Sequence, residues 1–430
     1  MALEVSRRKF LAGGAAAFSA AALGLPRLAF GQETRLRLMW WGSQPRAERT
    51  MKVSELYMKN NPGVTVDGET TGWDDYWPRL ATQVAGRNAP DVVQMDYRYI
   101  FEYARRDALA PLEGYVPDVL NVSDFDKAAL DGGSVDGSLY GISLGANSSA
   151  MMVNAAAFEE AGIEIPDQSL TFDELKRIGE EITKAGKRKS FYGLSDGSGV
   201  EPFFENFLRQ RGKALYTAEG KLAFDAEDTR EWFELWAAMR ESEACVPPDL
   251  QALDQRQIET GMVSLGHAAV SYAHSNQLVG YQSINKDPIV MHAYPRLAAG
   301  VGGGHYRKPS MFFSVSKQSP NPEAAAAYIS FFVSDPEAAA ILDVERGVPE
   351  SAKIRELIAP KLDETGRAAV EYIGGLGDLA GPLPPPPPLG AGEIDVMLVR
   401  VSQEVAFGQQ TPQAGAEAFV AEAEAILARN

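Results

Sequence analysis

The sequence predicts an α/β protein with mainly parallel sheets, divided into two domains. Strand-like and helix-like segments alternate from residue 34 to 114, which is the pattern of βαβ units. With 430 residues the chain is too long for one simple core and suits two domains of ordinary size. Apolar residues form 45% and charged residues 23% of the chain, as in soluble globular proteins, so we do not expect disorder.

The alternation in the first part of the chain can be justified segment by segment. Residues 36–41 form an apolar run that predicts a strand, and the amphipathic segment after it predicts a helix that stops before Pro62. Val64-Thr65-Val66 predicts a second strand. Residues 90–95 predict a third, since short apolar runs are typical of buried parallel strands. The remaining segments of this part predict helices over 75–85 and 100–106.

The rest of the chain continues with both kinds of segment. We expect strands over 137–144, 151–154, 261–270 and 311–315. His267 lies within one of these strands, and we expect it in the core. Trp232 and Trp236 are spaced i, i+4 on a helix and are expected to pack inside. Residues 384–388 are all proline and predict a rigid extended loop between two helices. Helices are expected over 155–161, 171–185, 201–212, 227–240, 322–333, 335–342, 351–373 and from 391 to the end.

Residues 1–31 have the pattern of an export signal. Basic residues 7–9 precede a stretch of small and apolar residues, and Ala29-Phe30-Gly31 is a small-x-small cleavage site. The paired arginines followed by Phe10-Leu11 resemble a twin-arginine signal, and an ordinary secretory signal is the alternative. We therefore expect the mature chain to begin at Gln32 and to work in the periplasm.

Charge and cysteine content restrict the partners and the chemistry. The formal net charge is −17, and residues 1–31 carry +3 of it, so the mature chain has about −20. Such a surface repels nucleic acid and anionic membranes, and we expect neither as a partner. The single cysteine, Cys245, can form no internal disulfide. The four histidines lack metal-site spacing, and the chain has no phosphate loop or nucleophile elbow, so no cofactor and no metal are expected.

A set of short motifs in a fixed order resembles a known family. The order is that of the extracellular solute-binding proteins of carbohydrate ABC importers, the large periplasmic type related to maltose- and glycerol-phosphate-binding proteins. Each motif alone is weak, whereas the ordered set is specific. The chain departs from the family pattern in three places. Val153 stands where the family has tyrosine, and Ser143 stands where it has proline. The proline run at 384–388 is not a feature of the family. The motifs are residues 36–42, 57–66, 89–93, 107–112, 136–141, 152–154, 161–163, 171–175, 261–264, 314–317 and 347–349.

This resemblance implies a two-lobed periplasmic-binding-protein fold with a sugar in the cleft between the lobes. Each lobe would be a mainly parallel sheet flanked by helices. Lobe 1 would contain residues 32–146 and about 302–345, and lobe 2 residues 147–301 and about 346–430. The lobes would close around the sugar, and a permease in the inner membrane would recognise the closed, monomeric receptor. Such a protein is not an enzyme and uses no cofactor.

The tryptophan pair Trp40-Trp41 ends the first predicted strand and raises the question of where each side chain points. Successive side chains on a strand face opposite sides, so the two cannot enter one core. We expect Trp40 to pack in the core beside Leu36 and Leu38, and Trp41 to face the cleft. The alternative is that both lie buried between sheet and helix.

The carboxyl ends of parallel strands meet at one edge of a sheet, where ligands of open α/β sheets bind. Aromatic rings, amides and carboxylates follow the three predicted strand ends of the first lobe. They suit a sugar, whose C–H faces stack on rings and whose hydroxyl groups need hydrogen-bond partners. The candidates from this lobe are Trp41, Ser43, Gln44, Trp73, Asp75, Asp96 and Tyr97.

Further candidates come from the second lobe and from the crossings between the lobes. Gly303 and Gly304 would let backbone approach the ligand closely. Arg346 could hold a polar group of the ligand, and the alternative is a salt bridge with Glu345 or another carboxylate. An anionic sugar would need Arg346 or oriented backbone N–H groups, whereas an oligosaccharide would need a longer aromatic track. The other candidates are Asn147, Ser148, Glu201, Asn206, Tyr272, His274 and Asn276.

A different class of function is an exported enzyme that acts on glycosides. Such an enzyme needs two carboxyl groups that flank the scissile bond. Asp74, Asp75, Asp96 or Glu201 could supply them, because sequence spacing does not distinguish catalytic carboxylates from ones that only accept hydrogen bonds from a sugar. Formation of a cleaved product separates the enzyme from the receptor.

Overall fold

The computed structural model describes residues 33–125 and 127–429, and the predicted export signal lies outside them. Strands are β1 (Thr34–Trp41), β2 (Val64–Thr71), β3 (Val92–Met95), β4 (Ser134–Val135), β5 (Ser138–Leu139), β6 (Ile142–Ser143), β7 (Ala146–Asn147), β8 (Ser149–Asn154), β9 (Tyr192–Leu194), β10 (Ala268–His274), β11 (Ile289–His292), β12 (His305–Tyr306), β13 (Lys308–Pro309), β14 (Phe312–Val315) and β15 (Ala380–Gly381).

Helices alternate with these strands and form the outer layers. They are α1 (Gln44–Asn60), α2 (Trp73–Ala85), α3 (Tyr97–Arg105), α4 (Lys127–Gly132), α5 (Ala155–Ala161), α6 (Phe172–Ala185), α7 (Glu201–Gln210), α8 (Ala226–Glu241), α9 (Pro248–Gln251), α10 (Leu278–Ile284), α11 (Pro322–Ser334), α12 (Pro336–Leu342), α13 (Ala352–Ile358), α14 (Glu364–Gly375), α15 (Ala391–Ala406) and α16 (Pro412–Ala428).

The first large sheet has the strand order β2-β1-β3-β14-β6. Strands β2, β1 and β3 pair in parallel, as the alternation of strand and helix predicts, and β14 pairs antiparallel with β3 and β6. In this sheet, therefore, β14 runs opposite to the other four strands. The sheet brings the carboxyl ends of β1 and β3 to one edge, where Trp41 and Met95 end the strands.

The second sheet has the order β11-β8-β10-β9. Strand β8 is interior and runs opposite to the others, so its two pairings are antiparallel, while β10 and β9 pair in parallel. Each sheet thus has most strands in one direction and one reversed strand. This arrangement is the two-lobed α/β fold expected from the motif order.

The chain passes between the two sheets through connections that pair with each other. Strand β7 pairs with β13, and Ala146 forms an antiparallel bridge with Val348. Gly347 has φ +110°, and a Cβ atom there would lie 2.7 Å from the carbonyl oxygen of Ala146. Glycine at this position is therefore required both by the backbone conformation and by the close approach of two chain segments.

Two tryptophans at the end of β1 enter different cores, as predicted for Trp40. Trp40 is 1% exposed and packs with Leu36, Leu38 and residues of α1 and α11. Trp41 lies on the other face of the sheet, in an aromatic cluster with residues of α2 and α3. The largest core belongs to the second sheet and includes Trp232 and Trp236, which are fully buried as expected.

The predicted strand over 261–270 is wrong in its first half. Residues 262–267 form turns, and the strand begins only at Ala268, because Gly266 adopts a left-handed conformation with φ +74°. His267 is consequently not a core residue: it is half-buried in the turn, with Nδ1 3.0 Å from the carbonyl oxygen of Ser190.

Other predicted elements are divided more finely than expected. The predicted strand over 137–144 is two short strands, β5 and β6, separated at Tyr140-Gly141. The predicted helix over 351–373 is α13 and α14 with a 3₁₀ turn between them that contains Pro360, a residue that cannot continue an α-helix. The proline run lies in an irregular loop between β15 and α15.

No single helix within 33–125 and 127–429 is long and apolar enough to cross a membrane. The bent pair α11 and α12 passes the same test of length and composition when taken together, with a 69° bend between the helices. Both helices contribute buried side chains to the core of the first sheet, among them Ile329 of α11 and Leu342 of α12.

Candidate functional site

A cavity of about 280 Å³ lies between the two sheets, at the carboxyl end of β1 and the amino end of α3. Its walls come from both sides: loops after β1, β2 and β3 on one side, and the start of α7, one face of α15 and the end of β10 on the other. Because both halves contribute, a ligand here would touch both at once. Nine sequence-predicted residues line the cavity: Trp41, Ser43, Trp73, Asp96, Asn147, Glu201, Tyr272, His274 and Asn276.

Aromatic rings form one wall of the cavity. The Trp41 ring centroid lies 5.1 Å from that of Trp73 and 5.0 Å from that of Tyr76, both edge to face. Trp77 is 5.3 Å from Trp41 and stacks on Tyr99 at 3.6 Å. Trp41 is only 7% exposed, whereas Trp73 is half-buried, so the ring surface open to a ligand comes mainly from Trp73.

Uncharged polar groups also line the cavity. Asn147 Nδ2 donates to Asn276 Oδ1 at 2.7 Å, and Asn276 Nδ2 donates to the carbonyl oxygen of Glu345 at 3.2 Å. Burial, with a smaller contribution from Lys308, lowers the pKa of His274 to about 3. Its imidazole is therefore neutral at physiological pH and offers both a donor and an acceptor.

Buried polar atoms at the cavity lack partners within the described chain. They are Ser43 Oγ, Asn147 Oδ1, Tyr272 OH and Tyr294 OH. A buried hydroxyl or amide oxygen without a partner costs free energy of about 1–3 kcal/mol. Groups of a polar ligand that filled the cavity would satisfy these atoms.

Charged side chains cross the cavity in two ion-pair groups that share Asp395. Arg98, near the start of α3, pairs with Glu201 of α7, and its Nη1 is 3.3 Å from Asp395 Oδ2. Arg256 has Nη1 2.8 Å from the same Asp395 oxygen and Nη2 2.6 Å from Asp74 Oδ1 of α2. These pairs join the first sheet's helices to those of the second.

Burial affects the pKa values of two carboxyl groups in the cavity, those of Glu201 and Asp96. Burial raises the pKa of Glu201 to about 7, against the opposing effect of Arg98. For Asp96 burial also acts to raise the pKa, but Lys308 and Arg98 outweigh it and the pKa is lowered. Asp96 also caps α3 by accepting a hydrogen bond from the backbone N–H of Arg98 at 2.9 Å. Asp96 is therefore ionised at neutral pH, whereas Glu201 titrates there.

Arg346 lies in neither of its two expected places. It is 2% exposed beneath the cavity, with Nη2 2.7 Å from Thr50 Oγ1 and the guanidinium 5.2 Å from the Phe313 ring. Burial lowers its pKa to about 9. Glu345, its expected partner, binds Arg46 instead at 2.9 Å. Arg346 therefore stabilises the packing between β14, α1 and α11 and is not available to a ligand in the cavity.

The remaining predicted site residues do not line the cavity. Gln44 and Asp75 have exposed side chains, the backbone N–H of Gln44 donates to Glu259 Oε1 at 3.3 Å, and Tyr97 packs against Phe101. Ser148 Oγ donates to the carbonyl oxygen of Tyr306 at 2.8 Å, and Asn206 Oδ1 accepts from Gln210 Nε2 at 2.7 Å. The close approaches made by Gly303 and Gly304 are to the backbone of Leu379 and Asn206.

The sequence did not point to several residues that the fold brings to the cavity. Arg98 follows Asp96 by two positions and could have been chosen from its place after a strand end. Nothing near Arg256, Lys308 or Asp395 in the sequence indicates a site, because each reaches the cavity through long-range packing. Asp395 and Arg98 are 297 residues apart in the chain.

Groups of His, Cys, Asp and Glu that could hold a metal ion are absent from the described residues. The cavity chemistry is that of recognition: aromatic surface, neutral donors and acceptors, and ion pairs between two halves of the molecule. A two-lobed α/β chain with such a cleft between its lobes is of the class of receptors that enclose a small polar solute.

Comparison with known proteins identifies the family within this class. The model of the family described as bacterial extracellular solute-binding protein matches residues 42–339. The chain therefore belongs to the bacterial extracellular solute-binding proteins, which work outside the cytoplasm.

Solved structures of similar proteins agree with this assignment. An extracellular solute-binding protein of family 1 from Alicyclobacillus acidocaldarius is 30% identical, with a TM-score of 0.63, and the match covers 92% of this chain and 99% of that one. A periplasmic oligogalacturonide-binding protein from Yersinia enterocolitica, solved with saturated digalacturonic acid, is 25% identical, with a TM-score of 0.82 and the same coverage.

Curated relatives match over a shorter part. A protein of Brucella abortus described as a binding protein is 29% identical over 190 residues, which are 44% of this chain and 45% of the relative. An osmoprotective compounds-binding protein of Synechocystis is 26% identical over 176 residues, 39% of this chain and 41% of that protein. The chain thus matches less than half the length of these relatives.

Proposed function

We propose that this protein is the substrate-binding component of an ABC importer and that its ligand is a carbohydrate or carbohydrate derivative. The observation that carries this proposal is the cleft, which is lined both by aromatic rings and by buried hydroxyl and amide groups that have no partner in the described chain. A sugar supplies both complements, since its C–H faces stack on rings and its hydroxyl groups both donate and accept hydrogen bonds. The digalacturonic acid bound by the similar receptor from Yersinia enterocolitica supports the same class.

The proposed mechanism is a shift between open and closed arrangements of two lobes. One lobe would be built on the first sheet and the other on the second, with β7, β13 and the Gly347 crossing between them. A sugar that contacts both walls binds the closed arrangement better and so raises its population. An inner-membrane permease would recognise the closed monomer, and its ATPase would supply the energy.

Two further points complete the proposal. The pattern of residues 7–11 supports export by the twin-arginine route to the periplasm. The protein acts as a receptor and not as an enzyme, because its family is one of binding proteins and because Asp395, the cleft carboxylate that shares Arg98 with Glu201, is held by both Arg98 and Arg256. A pair of acids that cleaves glycosides needs a proton donor and also a second carboxylate that is free to act as nucleophile or base.

The test is thermal unfolding of the mature protein against neutral, amino and anionic mono- and disaccharides and polyols, followed by calorimetry on every hit. A ligand at 100 times its dissociation constant stabilises by about 2.7 kcal/mol, which raises the melting temperature by a few degrees. Chromatography of the recovered ligand completes the experiment. Binding with the sugar unchanged supports a receptor, a cleaved sugar supports the hydrolase, and no shift with any carbohydrate contradicts the proposal.

A further inference from the structure

The cations of the cleft are already paired with carboxylates of the protein. Among the described residues that line it, six carry carboxylates and four carry cations. Each of the four cations contacts a carboxylate within 4.0 Å. The carboxylates are those of Asp96, Asp196, Glu201, Asp254, Glu259 and Asp395, and the cations those of Arg46, Arg98, Arg256 and Lys308.

Asp395 is the central member of this charge network. Its Oδ2 atom lies within 3.3 Å of one guanidinium nitrogen of Arg98 and one of Arg256, and its side chain is only 5% exposed. The arginines reach it from opposite walls of the cleft. A carboxylate of the protein therefore occupies the position between two guanidinium groups that a carboxylate of a ligand would need.

The remaining cations are held in the same way. Lys308 Nζ lies 3.9 Å from Asp96 Oδ2, and both side chains are 11% exposed. Arg46 pairs with Glu345 in the buried region beneath Trp41. An anionic ligand would have to displace one of these carboxylates or be buried beside it, and a like-charge contact in a poorly solvated site is strongly unfavourable.

Several uncharged polar groups of the cleft, unlike its cations, have no partner in the described residues. Ser43 Oγ, Asn147 Oδ1, Tyr272 OH and Tyr294 OH are buried and have no partner in the part of the chain that the structure describes. Hydroxyl and amide groups that are left unpaired in a protein discriminate strongly in favour of ligands that pair with them. The capacity of this cleft for new hydrogen bonds therefore lies in its neutral groups.

We propose that the cleft selects an uncharged sugar or polyol and excludes uronic acids, with Asp395 holding the place of a ligand carboxylate between Arg98 and Arg256. This inference rests on the proposed function and narrows its ligand class. Trp73 would stack on the sugar face, and the unpaired hydroxyl and amide groups would bind its hydroxyl groups. Specificity would have two sources: the Asp395 carboxylate would repel an anionic ligand, and the neutral hydroxyl and amide groups would bind the hydroxyl groups of an uncharged one.

The first experiment is calorimetry of the mature protein with matched sugars that differ only in charge. The probes are galactobiose against digalacturonate, glucose against glucuronate, and every neutral hit of the carbohydrate panel against its uronate. We expect at least one neutral sugar to bind at least tenfold more tightly than its uronate. A uronate that binds as tightly as its neutral counterpart, or more tightly, would overturn the inference while leaving the carbohydrate receptor in place.

The second experiment tests the role of Asp395 directly. Asp395→Asn keeps the shape of the side chain but removes its charge, so Arg98 and Arg256 gain capacity for an anionic ligand. We expect digalacturonate or glucuronate to bind this variant at least tenfold more tightly than the parent protein. The matched control is Glu393→Gln on the same helix, an exposed residue that pairs with Arg429 outside the cleft, and it should change nothing.

The outcomes of the two experiments separate the proposals. A folded Asp395→Asn variant, checked by circular dichroism, that gains no affinity for uronates overturns the role of Asp395. Should that variant not fold, the matched-sugar comparison on the parent protein still decides the charge preference. Absence of binding by every sugar, neutral or charged, overturns the carbohydrate function itself and this inference with it.

Discussion

At the scale of single residues, the two tryptophans of β1 have different roles: Trp40 stabilises the core, and Trp41 belongs to the wall of the cleft. Trp40 and Trp41 are neighbours in sequence, yet strand geometry sends one into the core of the first sheet and the other toward the cleft wall. Trp41 is itself covered by Trp73, Tyr76 and Trp77. The ring that remains accessible to a ligand is therefore Trp73, which holds its place through edge-to-face contacts.

Replacement of Trp73 by alanine should weaken sugar binding more than folding. Trp73 is half-buried, and loss of a stacking ring at a cleft removes at least about 1.4 kcal/mol of binding free energy, a tenfold change in affinity. The matched control is Trp40→Ala, which removes a fully buried ring and should lower the free energy of unfolding by about 3–5 kcal/mol. Calorimetry and urea unfolding of both variants measure the two effects. Equal affinity of Trp73→Ala and parent protein would contradict the assignment.

Glu201 should make stability depend on pH. Burial raises its pKa to about 7 in the folded protein, from 4.5 in the unfolded chain. The folded state therefore holds a proton that the unfolded state has released, and the stabilisation present below pH 4.5 is lost as pH rises to about 7. Thermal unfolding between pH 5 and 8 should show this decrease, and Glu201→Gln should show a smaller one. The exposed control Glu227→Gln should retain the full decrease, since the pKa of Glu227 is lowered by Arg230.

At the scale of elements, the sequence predicted the strands and helices that are determined by residues close together in the chain. The strands β1, β2 and β3 follow from short apolar runs, and α6 begins at the capping box of Thr171 and Glu174. The turn over 262–267 was predicted as strand because apolar residues there conceal the left-handed conformation of Gly266. The spacing of apolar residues in a sequence indicates which residues are buried. It does not indicate the backbone conformation that a single glycine permits.

The candidate site was less predictable than the elements, for a physical reason. Residues after strand ends, such as Trp41 and Asp96, could be chosen because the direction of a strand fixes where its end lies. Arg346 was chosen for its charge, but its guanidinium is enclosed by Phe313, Phe332 and Thr50 through packing that no local pattern reveals. Asp395 reaches the cleft from the last part of the chain, where the sequence shows only a helix.

The crossing at Gly347 should tolerate no side chain. A Cβ atom would lie 2.7 Å from the Ala146 carbonyl oxygen, and the φ angle of +110° is unfavourable for any other residue. We expect Gly347→Ala to lower the free energy of unfolding by about 1–3 kcal/mol. In the control Gly374→Ala, within α14, the added methyl group meets nothing within 4 Å, and stability should rise by about 0.5–1 kcal/mol. Urea unfolding of both variants measures the difference. Equal effects would show that the crossing does not constrain the backbone.

At the scale of the whole molecule, the ion pairs across the cleft link the two halves. Arg98 follows β3 of the first sheet, whereas Glu201 and Asp395 begin or lie on helices that pack in the core of the second. Asp74 and Arg256 connect the halves at another point. Opening the cleft must separate these pairs, so the charges of the cleft wall influence the balance between open and closed arrangements as well as the choice of ligand.

Arg98→Met should therefore shift the molecule toward the open arrangement. The variant keeps most of the aliphatic stem but leaves Glu201 and Asp395 close together without their shared cation, and opening returns them to water. Small-angle scattering without ligand should show a larger radius of gyration than in the parent protein. Sugar affinity should fall by tenfold or more, because part of the binding free energy is then spent on closure. Arg230→Met removes two ion pairs within α8 alone and should alter neither quantity. An unchanged radius with Arg98→Met would mean that packing at the crossings, and not charge across the cleft, sets the closed state.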